Sequence, residues 1–196
     1  MIGLFATGPS SIIFYFVYSL WWIGDLIGAL LIPALRRRGT TQVRRDRGSG
    51  ALIVSSIFVA IFVAFGFGYA GIGQLPDWVY YPGILLMLLG IAIRQYAIAV
   101  LGRFFSLTVR VAEDHKVVDK GPYRFVRHPS YTGALVTFIG LGLAVQSWPA
   151  VLTLLIVFAV AYGYRMRVEE RTLTKELGQD YLSYMKRTKR LIPYLI

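Results

Sequence analysis

Five apolar blocks, separated by segments crowded with arginine and lysine, constrain this chain more than any other feature. They run from about Ser11 to Leu35, Ala51 to Ile72, Val79 to Leu101, Tyr131 to Gln146 and Pro149 to Tyr164. The first three reach the roughly 20 residues that a helix needs to cross a bilayer. The last two are shorter and meet at Gln146-Ser147-Trp148-Pro149, which predicts a tight helical hairpin. Of all 196 residues, 56% are hydrophobic and 16% charged, against about 25% charged in soluble domains, so a water-facing globule is excluded. The expected fold is an all-α integral membrane protein of about five transmembrane helices, a single domain over residues 1–196 with no Rossmann sheet.

The charge pattern orients it. Every lysine and arginine of the 21 except Arg94 lies in the first loop (Arg36, Arg37, Arg38, Arg44, Arg45, Arg47), between the third and fourth blocks, or from Arg165 onward. The positive-inside rule places those segments in the cytoplasm and the N-terminus outside, as in a plasma or inner membrane. The apolar stretch near Met1 is too long for a cleavable signal and has its arginines after it. A net charge of +11 in a soluble protein would suggest nucleic acid. Here the placement points to anionic lipid headgroups instead. There is no cysteine, and two histidines, His115 and His128, do not suggest a metal centre.

Gly66-Phe67-Gly68-Tyr69-Ala70-Gly71 has the spacing of a dinucleotide-binding loop but sits at the end of an apolar helix, where small residues let helices approach. Gly24-Asp25-Leu26-Ile27-Gly28 reads as a similar packing face. Asp25 and Arg94 are ionisable residues inside spans at matching depth. They form either an ion pair between the first and third helices or the polar floor of a ligand cavity.

The chemistry is concentrated after Leu101. Gly121-Pro122-Tyr123 is a turn, and His128-Pro129 opens the fourth helix. Free amides after Pro129, beside Arg124, Arg127 and His128, suit an anion, or equally a capped helix start among headgroups. Arg165 and Glu169 are spaced as helical partners, as are Arg167, Glu170 and Arg171. Adjacent acids at so basic a membrane exit suit an ammonium or sulfonium ligand. Tyr181 and Tyr184 are placed to cover an aromatic ring or to lie at the interface.

The run from Lys116 to Gly133, with Arg127-His128-Pro129-Ser130-Tyr131, resembles the signature of the isoprenylcysteine carboxyl methyltransferase family, related to phospholipid methyltransferases. So do Arg165-x-Arg167-x-Glu169-Glu170, Leu177-Gly178-x-x-Tyr181-x-x-Tyr184, Arg190-Leu191-Ile192-Pro193, and Arg94 followed by Leu101 to Phe105. This resemblance implies a cytoplasmic pocket for S-adenosylmethionine, lined by the loop before the fourth helix and roofed by the C-terminal segment. Implied cofactor contacts are Lys116, Val117, Val118, Gly121, Pro122, Tyr123, His128, Pro129, Tyr131 and Glu169. Arg127, Arg165 and Glu170 are the implied catalytic set, the arginines orienting the acceptor. A lipid or prenylated acceptor would enter from the bilayer. A carboxylate acceptor needs no general base, whereas an amine would need Glu169, Glu170 or His128 to take a proton. Carboxyl methylation of an isoprenylcysteine-type acceptor leads; a phospholipid amine N-methyltransferase or a non-catalytic lipid-binding protein on the same fold are the alternatives. A transporter is disfavoured by the nearly charge-free midplane.

Overall fold

The computed structural model describes residues 3–28, 42–44, 49–105, 110–112 and 116–193. The end of the first apolar block, most of the first-loop arginines and His115 lie outside them. The first helix, α1 (Gly8–Leu26), starts with a proline in its first turn, where the missing N–H costs nothing. It is followed by α2 (Ser49–Ala70), α3 (Tyr80–Leu101), α4 (Pro129–Ala144) and α5 (Trp148–Val157). A π-helical segment, Phe158–Tyr162, joins α5 to α6 (Gly163–Leu177), and α7 (Gln179–Arg187) comes last. Short strands β1 (Gln42–Arg44) and β2 (Arg110–Ala112) pair antiparallel, with Val43 opposite Val111.

Among the described residues, three helical stretches are long and apolar enough to cross a membrane: Gly50–Ala70, Asp77–Leu101 and Trp148–Leu177. The sequence reading stopped the last of these at Tyr164, but the helix runs on to Leu177. Nothing between Pro149 and Gly178 breaks it, and the break comes where Gly178 takes φ +55. By contrast α4 has 16 residues, about 24 Å at roughly 1.5 Å per residue, and falls short of a hydrocarbon core of about 30 Å. Its hairpin with α5 turns at Gln146, the one non-glycine with positive φ among the described residues. That strained position is held by the Gln146 side chain, which accepts from the Leu4 N–H and donates to Asp77. The Ser147 hydroxyl then caps α5 by accepting from the Ala150 N–H.

The closest helix pair is α3 with α4, and glycines seven apart on each make it so. A Cβ on Gly83 would sit 2.5 Å from the Ala144 nitrogen, and one on Gly140 2.5 Å from that of Met87. Gly90 and Gly133 face each other in the same way: a Cβ on either would lie 2.6 Å from the other's carbonyl oxygen. Backbone-to-backbone packing of this kind gives apolar helices the dispersion contact that lipid would otherwise supply. The glycine faces singled out in the sequence do less. Gly24 and Gly28 meet only side-chain atoms of Gln95 and Ile98, nothing approaches Gly66, and Gly68 alone marks a close approach, to the Phe5 ring and the Val145 carbonyl.

The core is aromatic. Phe14, Trp21, Phe138, Leu141 and Met87 are buried where α1, α3 and α4 meet, with Trp21 edge-on to Phe138 at 5.8 Å. Outward faces carry exposed Ile12, Phe16, Phe62, Leu85 and Ile156, as a lipid-facing surface requires. At one end of the bundle the last turns of α1 and α3, the first turns of α2 and α4, and α6 converge. That end carries the candidate site.

Candidate functional site

Gly102, at φ +57, ends α3 and turns the chain toward Phe104 and Phe105. Residues 116–120 form neither helix nor strand, and Gly121, at φ +54, then reverses the chain into the short turn Gly121–Arg124. The segment after α7 lies along this turn as a strap. The Arg127 N–H donates to the Lys189 carbonyl at 2.7 Å, the His128 N–H to Arg190 at 3.0 Å, and the Thr132 hydroxyl to Leu191 at 2.7 Å. From α7 itself the Tyr184 hydroxyl donates to the Tyr123 carbonyl at 2.7 Å. Four contacts thus clamp the C-terminal segment over the start of α4.

Beneath the strap, His128 is buried and its ring stacks on Tyr131 at 5.2 Å and 10°. The Tyr131 hydroxyl donates to Glu169 Oε2 at 2.8 Å and accepts from Arg165 Nε at 3.3 Å. His128 stands between the two acids, Nδ1 3.9 Å from Glu169 and Nε2 3.3 Å from Glu170. Glu170, whose side chain is 6% exposed, also takes Arg127 Nε at 3.1 Å and Arg190 Nη2 at 2.7 Å. Arg190 keeps its charge firmly, because its hydrogen bond to Glu170 raises its pKa above the usual guanidinium value.

Nine residues expected at the site line one cavity: Lys116, Val117, Val118, Tyr123, Arg127, His128, Tyr131, Arg165 and Glu169. Four do not. Gly121 and Pro122 shape the turn behind it, and Pro129 is buried in the helix start. The amides after Pro129 are spent as well, since the Tyr131 and Thr132 N–H groups both donate to the His128 carbonyl. That leaves little of the expected anion cradle at the helix start. Glu170 points instead at the strap, because Arg127 and Arg190 converge on it beside the His128 ring. Arg127, though at the cavity wall, spends its guanidinium on Glu170 and on the Met185 and Thr188 carbonyls. Helical spacing pairs Glu170 with Arg167 on its own helix, but the tertiary partners Arg127 and Arg190 prevail.

The cavity also has an apolar slot formed by Phe104, Phe105, Leu173 and Leu177, with Tyr181 and Tyr184 from α7; of these only Leu173 lies outside the motifs. Burial pushes the Tyr123 and Tyr181 phenols well above their ordinary range, and the Glu169 carboxylate adds to the shift. They serve as neutral aromatic walls, not as bases. A second cavity of about 240 Å³ continues from the first, sharing Phe105, Tyr131 and Arg165. Its walls are Ile53, Val54, Ile57 and Phe58 of α2 and Trp21 and Trp22 of α1. At its inner end Arg94 Nε donates to Asp25 at 2.6 Å and Arg94 Nη1 to the Ser130 carbonyl at 3.2 Å. Both readings of Asp25 and Arg94 therefore hold together: they are ion-paired, and they line a cavity.

Fold and site define a helical integral membrane protein whose polar cavity is built from helix ends and loops and opens into an apolar one within the bundle. Comparison with known proteins makes this specific. Residues 83–175 match the model of the isoprenylcysteine carboxyl methyltransferase family. Protein-S-isoprenylcysteine O-methyltransferase B of Arabidopsis thaliana is 25% identical over 161 residues, which are 76% of this chain and 82% of that protein. The protein-S-isoprenylcysteine O-methyltransferase of Saccharomyces cerevisiae is 31% identical over 58% of this chain and 48% of its own. A solved structure of the eukaryotic intramembrane Ras methyltransferase, an isoprenylcysteine carboxyl methyltransferase, superposes with a TM-score of 0.61 at 24% identity, over 95% of this chain and 65% of that one. The last shares the fold. The chain is thus similar to the isoprenylcysteine carboxyl methyltransferase family, whose model matches somewhat under half of it, and to its membrane methyltransferases.

Proposed function

We propose that this chain, acting as one membrane unit, transfers a methyl group from S-adenosylmethionine to the carboxylate of a lipid-like acceptor of isoprenylcysteine type. The observation that carries this reading is the junction of the two cavities at Tyr131 and Arg165, a polar aromatic chamber opening directly into an apolar one. The donor set of the polar chamber fits the cofactor. Glu169 is an acid for a cationic group, Tyr123, Tyr181 and Tyr184 offer aromatic faces for a nucleobase, and Val117, Val118 and Leu173 close the slot. When bound, S-adenosylmethionine supplies an electrophilic methyl on a positively charged sulfur.

The residues do the rest by placement. A carboxylate is anionic at neutral pH, so the protein needs no general base and must orient it and exclude water. Arg165 stands where the cavities meet and takes the orienting role. Arg127 and Glu170 hold the strap, and His128 braces Tyr131 by stacking. The acceptor's tail lies between α1 and α2, reached sideways from the bilayer, and the basic segments put the site on the cytoplasmic side with anionic headgroups around them.

Calorimetric binding of S-adenosylmethionine and S-adenosylhomocysteine to the protein in nanodiscs, with Glu169→Ala beside wild type, tests the cofactor half. Methyl transfer to a prenylcysteine carboxylate and to a phosphatidylethanolamine tests the acceptor half. Saturable binding lost in the variant, with transfer to the carboxylate, is the expected result. No cofactor binding by folded wild type, or transfer to the amine alone, overturns the proposal.

A further inference from the structure

The larger cavity contains a polar group that the protein leaves unmatched. Trp21 is 2% exposed and lines the cavity, and its indole Nε1–H is the one buried side-chain polar atom without a hydrogen-bond partner among the described residues. Its ring is fixed by neighbours, edge-on to Phe138 and to Tyr18 and 5.3 Å from Trp22. An orphaned donor in an apolar interior costs free energy that most folds avoid, so its persistence beside a cavity points to a ligand atom that satisfies it.

The chemistry of the surrounding groups selects that atom. The cavity is rich in donor residues, with Arg94 and Arg165 in its lining and Trp21, which also lines it, carrying its unpartnered N–H in the packed wall behind. Its one acid, Asp25, accepts at Oδ1 from Arg94 at 2.6 Å and from Gln95 at 3.4 Å, and its charge is balanced by Arg94. The Tyr131 hydroxyl is engaged on both sides, by Glu169 and Arg165. A ligand group entering here meets donors and few open acceptors, which favours oxygen over an ammonium. We propose that Trp21 is a specificity-determining residue whose indole N–H donates to an oxygen of the lipid-tailed acceptor seated in this cavity. Trp21, Trp22 and Asp25 all come from α1, outside the residues 83–175 that match the family. The first helix therefore selects the acceptor, while the later elements hold the cofactor. The inference rests on the lipid-acceptor reading of the cavity.

Equilibrium binding of radiolabelled N-acetyl-S-farnesylcysteine, a lipid-tailed carboxylate, to the full chain in nanodiscs tests it. Trp21→Phe keeps an aromatic ring and removes the N–H. It is expected to weaken probe binding about 5- to 20-fold, the loss of one buried hydrogen bond, with S-adenosylhomocysteine affinity unchanged. Farnesylamine is expected to bind far more weakly than the carboxylate to wild type. A second measurement avoids dependence on the variant's folding. The protein has four tryptophans, and in ¹⁵N-tryptophan-labelled wild type, assigned through Trp22→Phe, Trp78→Phe and Trp148→Phe, the Trp21 indole resonance should move downfield on probe addition. An unmoved resonance, equal probe affinity in Trp21→Phe, equal affinity for the amine, or no probe binding by wild type overturns the inference. Probe binding that depends on Trp21 in a protein that binds no S-adenosylhomocysteine would keep the inference and sink the methyltransferase reading.

Discussion

Arg190 grips Glu170 through both Nε and Nη2, at 3.1 and 2.7 Å, and so fastens the strap after α7 to the helix that emerges from the membrane. Glu170 holds Arg127 and His128 at the same time, so one carboxylate sets the position of the strap, the wall and the imidazole.

Removing that carboxylate should cost far more than removing one of its partners. Glu170→Ala removes the shared partner of Arg127, His128 and Arg190, two of them largely buried, and is expected to destabilise by about 3 kcal/mol. Arg190→Ala, at a side chain 42% exposed, should cost about 1 kcal/mol or less. Thermal unfolding in detergent ranks the two, and an equal effect would mean that Glu170 is not the hub.

Tyr131→Phe removes the hydroxyl that bridges Arg165 and Glu169 but keeps the ring stacked on His128. Cofactor affinity or turnover is expected to fall about tenfold, with the melting temperature little changed, the loss of hydrogen bonds to charged groups. A steady-state assay beside calorimetry checks the split between the two.

Docking of the C-terminal segment should weaken in alkali. The Tyr123, Tyr181 and Tyr184 phenols have pKa values raised above 10.0 in the folded protein, chiefly by burial. Once the segment detaches they ionise at the ordinary value, so the docked state is fully favoured below about pH 10 and loses up to about 1.4 kcal/mol per pH unit and phenol above it. S-Adenosylhomocysteine affinity followed from pH 8 to 11 should fall at the top of that range, less steeply in Tyr184→Phe.

Gly133→Ala should prevent correct packing of α3 on α4. The added methyl would lie 2.6 Å from the Arg94 nitrogen, and backbone cannot step aside as a side chain can. Gly66→Ala, with open space around it, serves as the control. The pair can be compared by yield of folded protein after size-exclusion chromatography.

The apolar blocks, the charge pattern and the ordered motifs made the helical membrane fold legible in the sequence, because in hydrocarbon few other arrangements satisfy the backbone. Motif order also located nine cavity residues. What it missed depends on tertiary partners. Glu170 faces the strap because Arg127 and Arg190 reach it across 43 and 20 residues of chain. The seven-residue spacing of Gly83 with Gly90 and of Gly133 with Gly140 was present to be read, but only the facing backbone shows that it marks the tightest seam. The orphaned Trp21 donor carries no sequence signal, since a tryptophan in an apolar helix looks like any other.

The glycine seam also decides how the chamber exchanges its contents. With the backbones of α3 and α4 in direct contact, those two helices have no side-chain slack to slide or part. The strap and α7, by contrast, are held by a few hydrogen bonds and ion pairs at the end of the bundle. If the proposed cofactor binds here, its exchange is expected to require lifting of that flap, with Arg190 and Tyr184 as the latch.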